Sequence, residues 1–232
     1  NALADAQKQG FAEADPTNDV CGFDAARKLA ILSSIGFRAN VTFDDVLVEG
    51  IEKIDKSDIQ YAKDMGYTIK LLTVALRQEN GIALNVYPAF LPDNHPLSSV
   101  KGAYNAIYVT GNIVDDVMFY GRGAGALPTA SAVMGDVIST AQHILNGSTG
   151  TGMIMTDTKR IPFYSSLKLQ NSYYFRLDVD DVTGVLSQIA SAFAEHEISI
   201  CEVVQKRKAK GVAELVLITE MASRESILHV EK

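Results

Sequence analysis

The sequence predicts an α+β chain in two parts, a mixed or antiparallel sheet covered by helices and then a smaller β-α-β-β-α unit. Three observations carry this. Apolar residues recur with helical period over 19–37 and 128–145. Strand-like runs at 68–77 and 82–90 flank Asn80-Gly81, a strong short-range hairpin signal. A polar, irregular stretch, 151–171, separates these from a second set of strands and helices. The expected division is a first domain over 1–150, a linker over 151–171 and a second domain over 172–232, which lacks the last strand expected of its pattern.

In chain order, Leu3 to Gln9 reads as the end of a helix and Glu13 to Pro16 as a loop. Asp19 to Phe37 reads as one long helix closed near Gly36. A charged helix over 57–65 has Ser57 as its expected N-cap and Gly66 as its stop. After the hairpin come strands at 106–110 and 116–120, with Asp115-Asp116 expected in a solvated turn and His95 in another. Pro128 suits the first turn of the helix that ends at Leu145, because its missing N–H would be unpaired there. The second domain reads as strand 173–179, helix 184–196, strands 198–204 and 212–219, and a helix from Ser223. The basic cluster Lys206 to Lys210 falls in the turn between its last two strands.

Of the 232 residues, 47% are hydrophobic and 21% charged, an ordinary globular balance that can fill a core. The net charge of -7 argues against nucleic-acid and anionic-membrane partners, which need clustered Lys and Arg. Cys21 and Cys201 are far apart and lack zinc-site spacing, so a reducing, cytoplasmic setting and no metal are expected. No apolar run approaches the roughly 20 residues of a membrane helix. The start, Asn1-Ala2-Leu3, is not a signal segment and reads as the interior of a longer chain.

On a helical wheel of about 100° per residue, Asp24, Lys28, Ile31 and Ile35 share one stripe, which sets Lys28 along an apolar face. Asp24 precedes Lys28 by one turn, the favourable order for an ion pair. The loop upstream adds Glu13, Asp15 and Asp19. From spacing alone two readings stay open. The pair is a solvated salt bridge beside loop and capping acids, or the carboxylates hold a cationic amino acid while Lys28 exchanges a proton with its reacting oxygen. Gly121-Arg122-Gly123-Ala124-Gly125 before a helix likewise reads either as a tight turn or as a loop whose backbone N–H groups meet an anion. It is not the dinucleotide fingerprint, because the glycine spacing differs and no βαβ unit surrounds it.

A long motif then narrows the choice. Gly10-Phe11-Ala12-Glu13-Ala14-Asp15-Pro16, Asp19 and Gly22-Phe23-Asp24-Ala25-Ala26-Arg27-Lys28 together resemble the homoserine dehydrogenase signature with its spacing kept. Gly66-Tyr67, Ile69 to Leu72, His95-Pro96-Leu97, Asn105-Ala106, Tyr120 to Gly125 and Pro128 to Val133 extend the resemblance. It implies that Lys28 donates a proton to the substrate carbonyl, Glu13 binds the substrate ammonium, and Asp24 and Asp19 assist. It implies also that Gly10 and Gly125 touch NAD or NADP, with Arg122 where a proline is usual. The reaction implied is reduction of L-aspartate 4-semialdehyde to L-homoserine, by a dimer or higher homo-oligomer, in threonine and methionine biosynthesis. The main dinucleotide domain and the family's cation site would lie upstream of Asn1, which leaves this stretch nearly silent alone.

The tail, with Asp181-Val182-Thr183-Gly184-Val185-Leu186, resembles the ferredoxin-like ACT module, and Thr183 stands where a proline is usual. That resemblance implies an amino-acid effector, threonine, held near Asp181, Gly184, Val185 and Leu186. By its residues alone Gly184 is equally a turn glycine. The competing reading of the whole chain is a non-catalytic amino-acid-binding and dimerisation module.

Overall fold

The computed structural model describes residues 2–8, 14–148, 161–209 and 211–231. The chain forms two compact units, Asn1–Val74 with Asn85–Arg160, and Ala75–Leu84 with Ile161–Lys232.

In the first unit, α1 (Ala2–Lys8), α2 (Thr17–Val20) and α3 (Phe23–Phe37) precede the short strand β1 (Leu47–Val48) and helix α4 (Lys56–Asp64). The expected single helix from Asp19 is thus two helices. The break falls at Gly22, whose φ of 79° is left-handed, a conformation that costs a residue with a Cβ. A Cβ there would also press on Val86 and Val48 side chains at 3.2 and 3.3 Å. α3 runs to Phe37, and Arg38 in the left-handed region closes it. Its buried stripe is Ala26, Leu29, Ala30 and Ser33.

Helix α4 is capped by Asp55 rather than Ser57. The Asp55 carboxylate accepts from Ser57 N at 2.7 Å and Asp58 N at 3.2 Å, and Asp58 returns a bond from the Asp55 N–H, a reciprocal capping box. Gly66, at φ 78°, turns the chain out after it, as expected.

Strands β2 (Tyr67–Gln78) and β3 (Gly81–Pro92) form the hairpin. β1 pairs parallel to β3, Leu47 opposite Asn85, so the three-stranded sheet ordered β1-β3-β2 is mixed. The tip of the hairpin belongs to the second unit. There Ile82 N donates to Pro162 O and Tyr164 N to Ile82 O, both at 2.9 Å, and a side chain at Gly81 would collide with the Pro162 carbonyl. Strands β4 (Tyr104–Gly111) and β5 (Asp115–Arg122) make a two-stranded antiparallel ribbon, followed by α5 (Ala126–Leu145). Neither acid lies in the turn: Asp115, with φ 54°, is the first residue of β5 opposite Gly111, and Asp116 follows inside the strand opposite Thr110.

The second unit starts before the expected linker ends. Phe163 bridges to Ile82, and β6 (Gln170–Asn171) pairs with β10 (Ala222–Ser223). Between them lie β7 (Tyr174–Asp180), α6 (Val185–Glu195), β8 (Ile200–Ala209) and β9 (Val212–Thr219), and α7 (Arg224–Val230) follows. The antiparallel sheet has order β7-β9-β8. Its middle strand is buried on both faces, which explains the unbroken apolar run Leu215 to Ile218. Phe193 and Ile198 pack with Leu215, Leu217, Ala222 and Ile227 in the core. Buried Glu214 is matched by Arg176 at 3.3 Å. The basic run from Lys206 to Ala209 extends β8 rather than forming a turn, and Lys206 stands opposite Glu214.

Gly22→Ala tests the break. The left-handed φ and the tight space should cost about 1–2 kcal/mol, read as a lower denaturant midpoint in equilibrium unfolding. An unchanged midpoint would show that Gly22 is dispensable.

Candidate active site

The site is built on α2 and α3. Lys28 Nζ lies 2.7 Å from Asp24 Oδ2, an ion pair one helical turn long. The side chains are 66% and 47% exposed, and Ile31 and Ile35 beside them are exposed too. The Asp24–Lys28–Ile31–Ile35 stripe is therefore the outward face of α3, not the face that packs on the sheet. A pair in water adds little stability, so the arrangement offers a charged, accessible ammonium held by one carboxylate.

Asp19 is on α2, exposed, and its carboxylate has no hydrogen-bond partner among the described residues. Glu13 and Gly10, the other expected contacts, lie outside the described residues. Asp15 has a different task from the one its neighbours suggest. It accepts from Thr17 Oγ1 at 2.6 Å and Thr17 N at 3.1 Å, closing the turn into α2, and those bonds hold its carboxyl below the ordinary value.

The sequence reading missed four neighbours. Cys21 Sγ donates to Glu52 Oε1 at 3.3 Å, and that bond, then burial, pushes the thiol above its ordinary pKa. Val20 O accepts from Ile51 N at 2.9 Å, which brings the Gly50–Glu52 segment against the end of α2. No side chain fits at Gly50, where a Cβ would strike the Val20 carbonyl and the Cys21 backbone. Arg27 Nη1 donates to Asn18 Oδ1 at 2.9 Å. None of these pairs has a sequence signal, because each joins residues that only the Gly22 break brings together.

The glycine loop follows the β4–β5 ribbon. Gly123 N donates to Ala103 O at 3.1 Å, and a side chain at Gly123 would run into the Asn105 amide. Gly125, at φ 118°, is the N-cap of α5 and has no side-chain cap bond. A Cβ at Gly121, near the end of β5, would meet nothing within 4 Å, whereas Asn105 fills that space at Gly123 and Pro128 borders it at Gly125. Arg122 is engaged below the loop. Its guanidinium lies 5.1 Å from the Tyr104 ring centre, and Tyr104 stacks on Tyr120 at 4.9 Å with planes 1° apart. Further along this face Asp116 accepts from Thr110 Oγ1 at 2.7 Å and from the Tyr108 hydroxyl. The Tyr108 bond, then that of Thr110, lowers Asp116, while Asp116 pushes the Tyr108 phenol up. His95 packs on Tyr108 at 5.2 Å, and its Nδ1 accepts from Leu97 N, a turn role as expected.

In the second unit, Gly184 takes φ 97° as the N-cap of α6, and no side chain caps that helix. Val185 follows half-buried, and Leu186 is exposed. Asp181 N donates to Gly211 O at 2.9 Å. Among the described residues no group of three or more His, Cys, Asp or Glu is arranged to hold a metal ion, and no helix is long and apolar enough to cross a membrane.

A sequence model described as homoserine dehydrogenase matches residues 1–138. The chain belongs to the homoserine dehydrogenase family. A Bacillus subtilis homoserine dehydrogenase is 42% identical over 224 residues, covering 95% of this chain and 51% of that protein. One from Mycobacterium leprae is 44% identical over 211 residues, 89% of this chain and 47% of that protein. Among solved structures, a homoserine dehydrogenase from Thiobacillus denitrificans superposes with a TM-score of 0.89 at 36% identity, covering 98% of this chain and 53% of that one. The chain spans about half the length of the homoserine dehydrogenases it matches.

Replacing Asp116 by Asn should bring the Tyr108 phenol back toward its ordinary titration, because the hydrogen bond to a carboxylate, the largest influence on it, is weakened and the negative charge is removed. The carboxylate's own contribution to the ribbon is present above the ordinary Asp pKa and disappears as pH falls through its lowered folded value. Titration of the labelled Tyr108 ring by NMR reads this, and an unmoved Tyr108 in the variant would contradict it.

Proposed function

We propose that this chain carries the substrate-binding and proton-donating part of a homoserine dehydrogenase that reduces L-aspartate 4-semialdehyde to L-homoserine in threonine and methionine biosynthesis. The observation that carries the reading is the Lys28–Asp24 pair, presented outward on α3 within a residue pattern shared with this family. Family members use NAD(P), and the bound dinucleotide supplies the hydride. Of its expected contacts, Gly125 stands at the N-cap of α5, which no side chain caps, and is the position proposed to meet the ligand. β5, which leads into that loop, pairs antiparallel with β4 and is not part of a βαβ cradle for the pyrophosphate.

The chemistry of the residues present follows. As a hydride reaches the aldehyde carbon, negative charge grows on the carbonyl oxygen. The Lys28 ammonium stabilises that charge and transfers its proton to the oxygen, which gives the alcohol. Asp24 orients the ammonium through the 2.7 Å contact. Asp19 and Glu13 supply negative charge toward the substrate's own ammonium. The exposed apolar residues Ile31 and Ile35 on α3 and Val133, Val137 and Ile138 on α5 suit a surface covered by the remainder of the family's length. Within the second unit, residues 172–232 are proposed to be an ACT-like regulatory domain with threonine as effector at Asp181, Gly184, Val185 and Leu186, in a cytoplasmic homodimer or larger assembly.

Calorimetric titration with homoserine tests the reading. Lys28→Ala should weaken binding about tenfold or more, since a charge-assisted contact of roughly 1.5–3 kcal/mol is lost, and this chain alone should not sustain NADPH oxidation. Equal affinity in wild type and variant would favour a non-catalytic binding and dimerisation module.

A further inference from the structure

Helix α2 carries Asp19, yet none of its residues is buried and no side chain caps it. At its C-terminal end the backbone bond from Ile51 N to Val20 O and the close passage of Gly50 hold it in place. At its other end the side-chain tether to α3 is Arg27, which donates to Asn18, the residue before Asp19. Arg27 is itself restrained, because its guanidinium carbon sits 5.4 Å from the centre of the Phe43 ring, and Phe43 meets Phe23 edge-on at 5.9 Å. Phe23 is the first residue of α3. A planar guanidinium can lie on an aromatic face and donate in its own plane at the same time, which an ammonium does poorly.

We propose that Arg27 is a positioning residue, clamping α2 to α3 so that Asp19 is held at a fixed separation from the Asp24–Lys28 pair. The inference rests on the reading of those three residues as the substrate site. Arg27 touches no reacting group in this scheme. It acts through Asn18, and its stacking on Phe43 removes the rotamer freedom that would make an exposed hydrogen bond nearly worthless.

The test is amide hydrogen exchange of the chain in parallel with homoserine titration. In Arg27→Ala, and equally in Asn18→Ala, exchange at Asp19 to Gly22 should accelerate at least about fivefold while Leu29 and Ala30 keep their protection. The double variant should be no faster than either single one, as expected for two ends of one contact. Homoserine affinity should fall severalfold in Arg27→Ala and recover only in small part in Arg27→Lys, whose ammonium cannot lie on the Phe43 ring and donate in its plane at once. Unchanged exchange at 19–22, uniform acceleration along α3, or faster exchange with unaltered affinity would each overturn the positioning role. Wild-type affinity that is also insensitive to Lys28→Ala would instead overturn the substrate-site reading, and the exchange data would still report whether the clamp exists.

Discussion

The candidate site depends on the left-handed turn at Gly22. An uninterrupted helix from Thr17 to Phe37 would set Asp19 and Asp24 about 7.5 Å apart along one axis, at 1.5 Å rise per residue. The break lets α2 fold away, so that Val20 and Cys21 meet Ile51 and Glu52 while the start of α3, at Gly22, stands against the sheet. The space left by the missing Cβ is lined by Val86 of β3, Val48 of β1 and Leu71 of β2, all three strands of the sheet. One residue without a side chain thus reconciles close helix-sheet packing with a change of chain direction beside the lysine.

The charges of the site sit in water rather than in the core. The ion pair of Lys28 and Asp24 is mostly exposed, in contrast to Arg176 and Glu214, which are enclosed by the second unit. The enclosed pair stabilises only as a pair, since either partner alone would be a desolvated charge. The exposed pair is nearly neutral for folding and remains available to a ligand. Asp15, which looks like a further site acid in the sequence, closes the turn into α2, so local backbone demands absorb part of the acidic cluster.

Elements whose signals are local were legible in the sequence. The Asn80-Gly81 hairpin, the helix ending near Leu145 and the alternating second half all follow from periodicity and turn chemistry. Features set by distant neighbours were not. β1 is only two residues long and exists because β3 offers it an edge, and the basic run from Lys206 is a strand because its backbone pairs with β9 as far as Val212. At the site, the family pattern pointed to Asp24 and Lys28, and the pair is formed. The wheel put them on an apolar stripe but could not say which of two apolar stripes packs inward. The smaller residues Ala26, Ala30 and Ser33 win with Leu29, because small side chains allow α3 to approach closely, and Ile31 and Ile35 are left outside. Arg27, Asn18 and Glu52 are joined by tertiary geometry alone.

In the proposed reaction the Lys28 ammonium meets the substrate's oxygen. NMR of the chain with labelled lysine side-chain nitrogens, titrated with homoserine, tests it directly. A saturable shift of the Lys28 Nζ signal is expected, lost in Asp24→Asn, with the signals of the other lysines unmoved. Saturable homoserine binding that leaves the Lys28 signal unchanged would contradict it.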